Sequence, residues 1–390
     1  MRYPQHAGKA VVQTIPWWET EREHLLSIAA THTPCYVYNR AIQIIQTKQL
    51  LALKAIDHLF YAIKANPHPS ILKTLEQEGI GFECVSIQEL TRVLELFPAI
   101  ERKRILFTPN FAPKTEYEYA LTLGCHLTLD NLYPLEHWPE LFKNQQVILR
   151  IDPGAGKGHH KHVRTGGNES KFGITQKDIG LVIALAKKHQ LQVVGLHAHS
   201  GSGILSPELW QQTALMLTAL TEQFPQVRYI NLGGGLGIVE KPEQSPLDLS
   251  RLDATLLAVK AHYPQLNFWL EPGRYFVAES GVILAKVTQC KEKGDVNFIG
   301  IETGMNSLLR PSLYGAYHEI VNLSRLHEEK TIRTHIVGPI CESGDTLGYD
   351  RLLPTTYEDD VLLIANAGAY GHSMSSYYNL RPPAQEIILD

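Results

Sequence analysis

The amino-acid sequence predicts an α/β protein: a (βα)8 TIM barrel over residues 40–272, and a second β-rich domain, sandwich- or barrel-like, built from residues 1–39 together with 273–390. Three observations lead there. The chain's 390 residues suffice for two to three domains at roughly 150 residues each. Between residues 40 and 271, β-rich runs alternate eight times with helical patterns, matching a barrel whose parallel strands, covered on both faces, read as apolar throughout. Beyond Pro272 the pattern turns to extended runs separated by Gly, Pro and Asp clusters, as in a β domain.

The barrel strands are expected at Leu59–Ile63, Gly81–Val85, Ile105–Thr108, His126–Leu129, Val147–Ile151, Val193–His199, Tyr229–Leu232 and Phe268–Leu270, each rich in β-branched, aromatic or leucine residues. Helices fill the intervals. Ser86 and Glu89 form a capping box for the helix running towards Leu96, and Gly79 stops the helix that begins near Ser70. In the second domain the strands are Gly281–Gln289, Phe298–Ile301, Ile332–Val337, Val361–Asn366 and Glu386–Leu389, joined by Pro34–Asn39 from the other end of the chain.

Thirty-six basic against 40 acidic side chains leave a net charge of −4 without a basic block, so no nucleic-acid partner is expected. The longest apolar runs, such as Gly281–Val287 and Val361–Ala365, fall far short of the ~20 residues of a bilayer span, and the chain start carries no apolar signal segment. A cytoplasmic protein without a membrane partner is expected. The five cysteines (Cys35, Cys84, Cys125, Cys290, Cys341) are odd in number and widely spaced, encoding neither a disulfide framework nor a zinc knuckle.

The unusual residues of the barrel half fall just after predicted strands, where a barrel places its active site. Lys64 closes the run from Tyr61; such a lysine can be desolvated into an amine nucleophile, although a lone strand-end lysine more commonly snorkels to water. His197 and His199, two apart on one strand, share a face and suit a metal, but no matching Asp, Lys and His ligands follow at other strand ends. No metal is expected, and packing is the plainer role for His197. Gly233, Gly234 and Gly235 follow the seventh strand, where bare amides can cradle a phosphate or simply make a tight turn. Glu271-Pro272-Gly273-Arg274, after the eighth, supplies an acid and a base, which elsewhere form a surface ion pair. The loop Asp152–His160 looks like a P-loop but lacks Lys followed by Ser or Thr, so nucleotide binding is set aside, and His159, His160 and His162 are read as part of a mobile lid.

A nucleophilic lysine, a phosphate cradle, a histidine and an acid at one barrel mouth are the parts that pyridoxal 5'-phosphate (PLP) requires. Tyr61-Ala62-Ile63-Lys64-Ala65-Asn66, His197-Ala198-His199-Ser200-Gly201-Ser202, Gly233-Gly234-Gly235, Glu271-Pro272-Gly273-Arg274, Cys341-Glu342-Ser343-Gly344-Asp345 and Gly368-Ala369-Tyr370-Gly371 span nearly the whole chain. With these motifs in this order, the sequence resembles the fold-type III PLP-dependent decarboxylases. Ser170–Ile174, Arg310–Tyr314 and Cys341–Ser343 bring it nearest to the diaminopimelate decarboxylases of that family. Residues 1–33, with Trp17 and Trp18, resemble the linker entering the decarboxylase half of bifunctional aspartate kinase–diaminopimelate decarboxylases.

The resemblance implies decarboxylation of meso-2,6-diaminopimelate to L-lysine and CO2, the last step of lysine biosynthesis. Lys64 then carries the cofactor as a Schiff base, and Glu271 faces the pyridine nitrogen, where racemases of this fold place arginine. His199 stacks on the ring. Ser202, Gly233, Gly234, Gly235 and the backbone at Gly273 and Arg274 hold the phosphate, and Tyr370 closes the phosphate or substrate side. Arg274, Arg310 and Tyr314 suit the substrate's distal carboxylate and Glu342 its distal ammonium, while Cys341 is the general acid that reprotonates the α-carbon. A homodimer with shared active sites is also implied. The alternatives are a decarboxylase of another basic amino acid or carboxylated polyamine, a non-catalytic PLP-binding regulator, and a metal-dependent hydrolase using His197 and His199.

Overall fold

Apolar strands that need cover on both faces close into a barrel here, in a computed structural model that describes residues 15–154, 157–158 and 170–390. Strand β1 (Cys35–Asn39) belongs to the second sheet. The barrel follows with β2 (His58–Ala62), β3 (Gly81–Cys84), β4 (Ile105–Phe107), β5 (His126–Leu129) and β6 (Gln146–Arg150). After the two-residue β7 (Lys157–Gly158) come β8 (Gln192–His197), the two-residue β9 (Gly201–Ser202), β10 (Tyr229–Asn231) and β11 (Asn267–Leu270). The closed order is β10-β11-β2-β3-β4-β5-β6-β8. All eight predicted barrel strands are present.

Among the barrel strands the largest boundary difference lies in β8, which stops at His197, so His199 sits in the loop beyond rather than on a shared strand face. Helix signals act much as read. Gly79 takes φ +85° just after the helix Pro69–Gln77. Ser86 Oγ accepts from Glu89 N at 3.3 Å, while Glu89 Oε2 accepts from Val85 N at 2.7 Å, one residue earlier than in a standard capping box.

The two ends of the barrel interior differ in chemistry. At the bottom, Phe60, Leu106, Ile148 and Trp269 pack together, with Tyr229 stacked on Trp269 at 4.3 Å between ring centroids. At the C-terminal ends of the strands the inward residues turn polar: Glu83, Arg150, His197, Asn231 and Glu271 are all buried there.

The second sheet is formed by β12 (Gly281–Lys293), β13 (Val296–Ile301), β14 (Ile320–Asn322), β15 (Ile332–Val337), β16 (Thr346–Leu353), β17 (Val361–Ile364) and β18 (Gln385–Leu389). Strand β1 pairs antiparallel with β12 and parallel with β18, so both chain ends contribute. Two of these strands escaped the sequence reading. β14 has only three residues, and the middle of β16 reads as a turn, with Gly348 followed by Asp350 at φ +51°.

The linker-like expectation for residues 1–33 does not hold for their second half. Helices Trp17–Thr20 and Arg22–His32 bury Trp18, Leu25 and Ala29 in the same apolar cluster as Val282 and Leu284, and Arg22 donates to the carbonyls of Leu323 and Ser324 at 2.9 and 2.8 Å. His159, His160 and His162 lie outside the described residues. Among the described residues, no helix is long and apolar enough to cross a membrane.

Candidate active site

Six barrel strands deliver polar side chains at their C-terminal ends into one cavity of about 420 Å³. From β2 comes Lys64, on the short 3-10 turn Ile63–Ala65. Its Nζ donates to Glu83 Oε2 at 2.5 Å; Glu83 is 1% exposed, whereas Lys64 is 42% exposed because it stands in the cavity itself. Burial opposes the lysine's charge, but Glu83, Tyr370 and Glu271 outweigh it and hold the amine above the ordinary lysine range. Burial pushes the Glu83 carboxyl up, against the pull of Lys64.

Glu271 has the opposite environment. Burial works to raise it, but His197, Lys64 and the Asn231 amide together bring it down to about 2, so the carboxylate is ionised at neutral pH. Asn231 Nδ2 donates to its Oε1 at 2.5 Å, and His197 Nε2 stands 3.5 Å from Oε2. His199 is lowered to about 3 by burial, with its neighbours Arg150, His197 and Lys64 adding to the effect. Its Nδ1 accepts from Gly234 N at 3.1 Å, so the neutral ring carries its proton on Nε2.

The triple glycine serves two purposes. A Cβ at Gly234 would meet Glu271 O at 2.4 Å and one at Gly235 would meet Gly201 O at 2.4 Å, while Gly233 and Gly235 take φ +66° and +92°. The tight turn is therefore required by packing. Gly234 and Gly235 line the cavity; Gly233 does not, and its N–H is committed to Asn231 Oδ1 at 3.0 Å. Ser202, Gly273, Arg274 and Tyr370 line the cavity as expected. Arg274 Nη2 donates to Ser202 Oγ at 3.3 Å, and its guanidinium lies over the Tyr370 ring at 5.2 Å.

Other predicted residues fall elsewhere. Arg310 and Tyr314 are off the cavity lining: Arg310 is buried behind Arg274, with Glu240 Oε1 accepting from both guanidiniums. Cys341 and Glu342 are exposed on the loop after β15 and also lie off this lining. Asp345 anchors that loop by accepting from Met305 N and Ile340 N at 2.6 and 2.7 Å.

Sequence reasoning missed Glu83, Thr108, Asn110 and Arg150, all of which line the cavity. Arg150 Nη1 lies 3.2 Å from Asp130 Oδ1, Asn110 Nδ2 donates to Asp130 Oδ2 at 2.5 Å, and the Arg150 guanidinium covers the Phe172 ring at 4.3 Å. A signal existed: Glu83, Asp130 and Arg150 are charges that interrupt or close otherwise apolar strands.

The residues fit pyridoxal phosphate. Thr108 Oγ1, Asn110 Oδ1, both ring nitrogens of His197 and Arg274 Nε are buried polar atoms without a hydrogen-bond partner, and all four residues line this cavity. A polar occupant satisfies them. The donor set matches as well, with a reachable amine, an ionised carboxylate, a neutral imidazole and an arginine beside glycine-rich backbone.

A barrel with this mouth defines a cofactor-dependent enzyme class, and residues 42–278 match the family model for the pyridoxal binding domain of pyridoxal-dependent decarboxylases. The chain is 37% identical to the diaminopimelate decarboxylase of Methanothermobacter thermautotrophicus, covering 85% of this chain and 79% of that one, and 32% identical to that of Escherichia coli K12, covering 94% and 91%. Among solved structures it is similar to Helicobacter pylori diaminopimelate decarboxylase complexed with L-lysine, with a TM-score of 0.85, 31% identity and 94% coverage of each chain. The chain belongs to the diaminopimelate decarboxylases of the pyridoxal-dependent decarboxylase family. Lysine/ornithine decarboxylase from Vibrio vulnificus shares the fold at a TM-score of 0.82 and 21% identity, covering 95% of this chain and 97% of that one.

Proposed function

We propose that this chain decarboxylates meso-2,6-diaminopimelate to L-lysine at the barrel mouth, with pyridoxal phosphate as cofactor. The observation that carries this reading is the opposed pair of buried carboxylates around Lys64: Glu83 in contact with the amine, and Glu271 held ionised by His197 and Asn231. When bound, pyridoxal phosphate supplies an electron sink for the pair released at the α-carbon as carbon dioxide leaves. Lys64 holds the cofactor covalently, and Glu83 takes or returns the proton of its amine. Glu271 keeps a negative charge for the pyridine nitrogen. His199, kept neutral, offers an uncharged face to the ring, while Ser202, Gly234, Gly235 and the backbone at Gly273 and Arg274 hold the phosphate. Tyr370, whose own N–H donates to Ala65 O at 2.7 Å, closes the side nearest Lys64.

Arg274 and Arg310, with Tyr314, recognise the distal carboxylate. Cys341 and Glu342 act from the second protomer of a homodimer, as general acid at the α-carbon and as partner of the distal ammonium. Three observations support this division. Both residues are exposed and off the cavity lining of their own chain; Cys341 N donates to Asn379 Oδ1 at 2.6 Å; and beside Asn379 stand Tyr377 and Leu380, 70% and 92% exposed, suited to burial against another surface. A cytoplasmic site of action accords with the five free cysteines. Incubating the purified protein with pyridoxal phosphate and meso-diaminopimelate, L-lysine or L-ornithine, and identifying the products, tests the reading. Comparable kcat/KM on all three substrates overturns it.

A further inference from the structure

No sequence motif singles out Glu240, yet it joins the two arginines of the distal site. Its Oε1 accepts from Arg274 Nη1 at 3.4 Å and from Arg310 Nη2 at 3.2 Å. The three side chains are only 18%, 13% and 6% exposed, so the contact is largely withdrawn from water. The loop is held in place: Gln244 Oε1 accepts from the N–H groups of Glu240 and Lys241 at 2.8 and 3.0 Å, and Asn366 Nδ2 donates to Val239 O at 3.2 Å. On the far side of Arg310, His318 Nε2 accepts from Nη1 at 3.0 Å, while His318 Nδ1 donates to Ala365 O at 2.9 Å. Burial and the neighbouring guanidiniums lower His318 to about 3, so it adds no charge at neutral pH. Two guanidiniums against one carboxylate leave one unmatched positive charge, next to the unpartnered Arg274 Nε on the cavity wall.

We propose that Glu240 is a specificity-determining residue, a resident counter-ion that sets the anion site of Arg274 and Arg310 at a single unmatched charge and so fits it to one terminal carboxylate. This rests on the assignment of those arginines to the substrate's distal carboxylate. Without Glu240, two like charges stand close together in a poorly solvated place, and an incoming anion relieves them. Removing the charge should therefore strengthen anion binding and weaken the protein in the anion's absence.

The test compares the wild-type holoenzyme with Glu240→Gln and Glu240→Asp. The probe is pimelate, which keeps the substrate's carbon chain and both carboxylates but has no amine. Pimelate is expected to bind Glu240→Gln about tenfold more tightly, as measured by calorimetry, with a lower Tm that pimelate restores more fully than in wild type. Glu240→Asp, which keeps the charge but draws it back, is expected to fall between and serves alone if the glutamine variant does not fold. A second arm follows the rate of pyridoxal phosphate release, expected within about twofold of wild type. Equal or weaker pimelate binding overturns the proposal. So does altered cofactor retention with pimelate binding unchanged, which assigns Glu240 to the cofactor phosphate. Because pimelate binding needs no turnover, failure of meso-diaminopimelate as a substrate is read separately.

Discussion

The barrel mouth and the β-domain loop carrying Cys341 differ in how complete each is within one chain. At the mouth, Lys64, Glu83, His197, Glu271 and Asn231 satisfy or bias one another at contact distance, and all but Asn231 line one cavity. On the loop, the backbone is firmly anchored by Asp345 and Asn379, yet Cys341 and Glu342 are exposed. One region is organised for chemistry inside the fold. The other is held by its backbone and exposed, and on the proposed reading it serves a partner's mouth, which makes the association of chains part of the proposed chemistry.

The largest expected effect separates the two regions cleanly. Lys64→Ala should lose the near-visible absorbance of the bound cofactor and about three orders of magnitude or more of activity, whereas Cys341→Ala should lose activity but keep the absorbance. Retained absorbance and turnover in Lys64→Ala would place the covalent site elsewhere. Within the mouth, Glu271→Gln keeps the shape and removes the charge, and kcat is expected to fall about a hundredfold with the protein still folded. A fall of less than threefold would leave Glu271 a packing residue.

Mixing the two inactive variants probes the comparison directly. Under free subunit exchange, half of an equimolar mixture of Lys64→Ala and Cys341→Ala is hybrid dimer with one intact site of two, so activity should return to roughly a quarter of wild type. Full exchange with no recovery would mean that each chain uses its own Cys341.

The smallest effect is one of stability at the far end of the barrel. His126, packed edge-on against Trp269 at 4.9 Å, is lowered to about 4 by burial, with His58 adding to the effect. Its folded form thus refuses a proton that the unfolded chain accepts. Stability is full above the ordinary histidine value of 6.5 and is lost as pH falls from there to about 4. His126→Phe should recover about 1–3 kcal/mol of that acid loss in denaturant titrations at pH 7 and pH 4. An unchanged pH slope would show that His126 is not among the groups responsible.

Much of this molecule could be read from residues alone. Strands covered on both faces are apolar over most of their length, so all eight barrel strands stood out, as did Lys64, His199, Glu271 and Arg274 beyond their ends. Short or interrupted strands such as Ile320–Asn322 and Thr346–Leu353 carry too little pattern to read, because their pairing, not their composition, makes them strands. Tertiary structure alone decided which charges meet. Glu83 reaches Lys64 across 19 positions, Arg150 reaches Asp130, and Glu240, on a loop, bridges Arg274 and Arg310 at the starts of two short helices far apart in sequence. Local propensity acts over a turn or two of chain, whereas the energy of a buried charge depends on whatever the fold brings within a few ångströms of it.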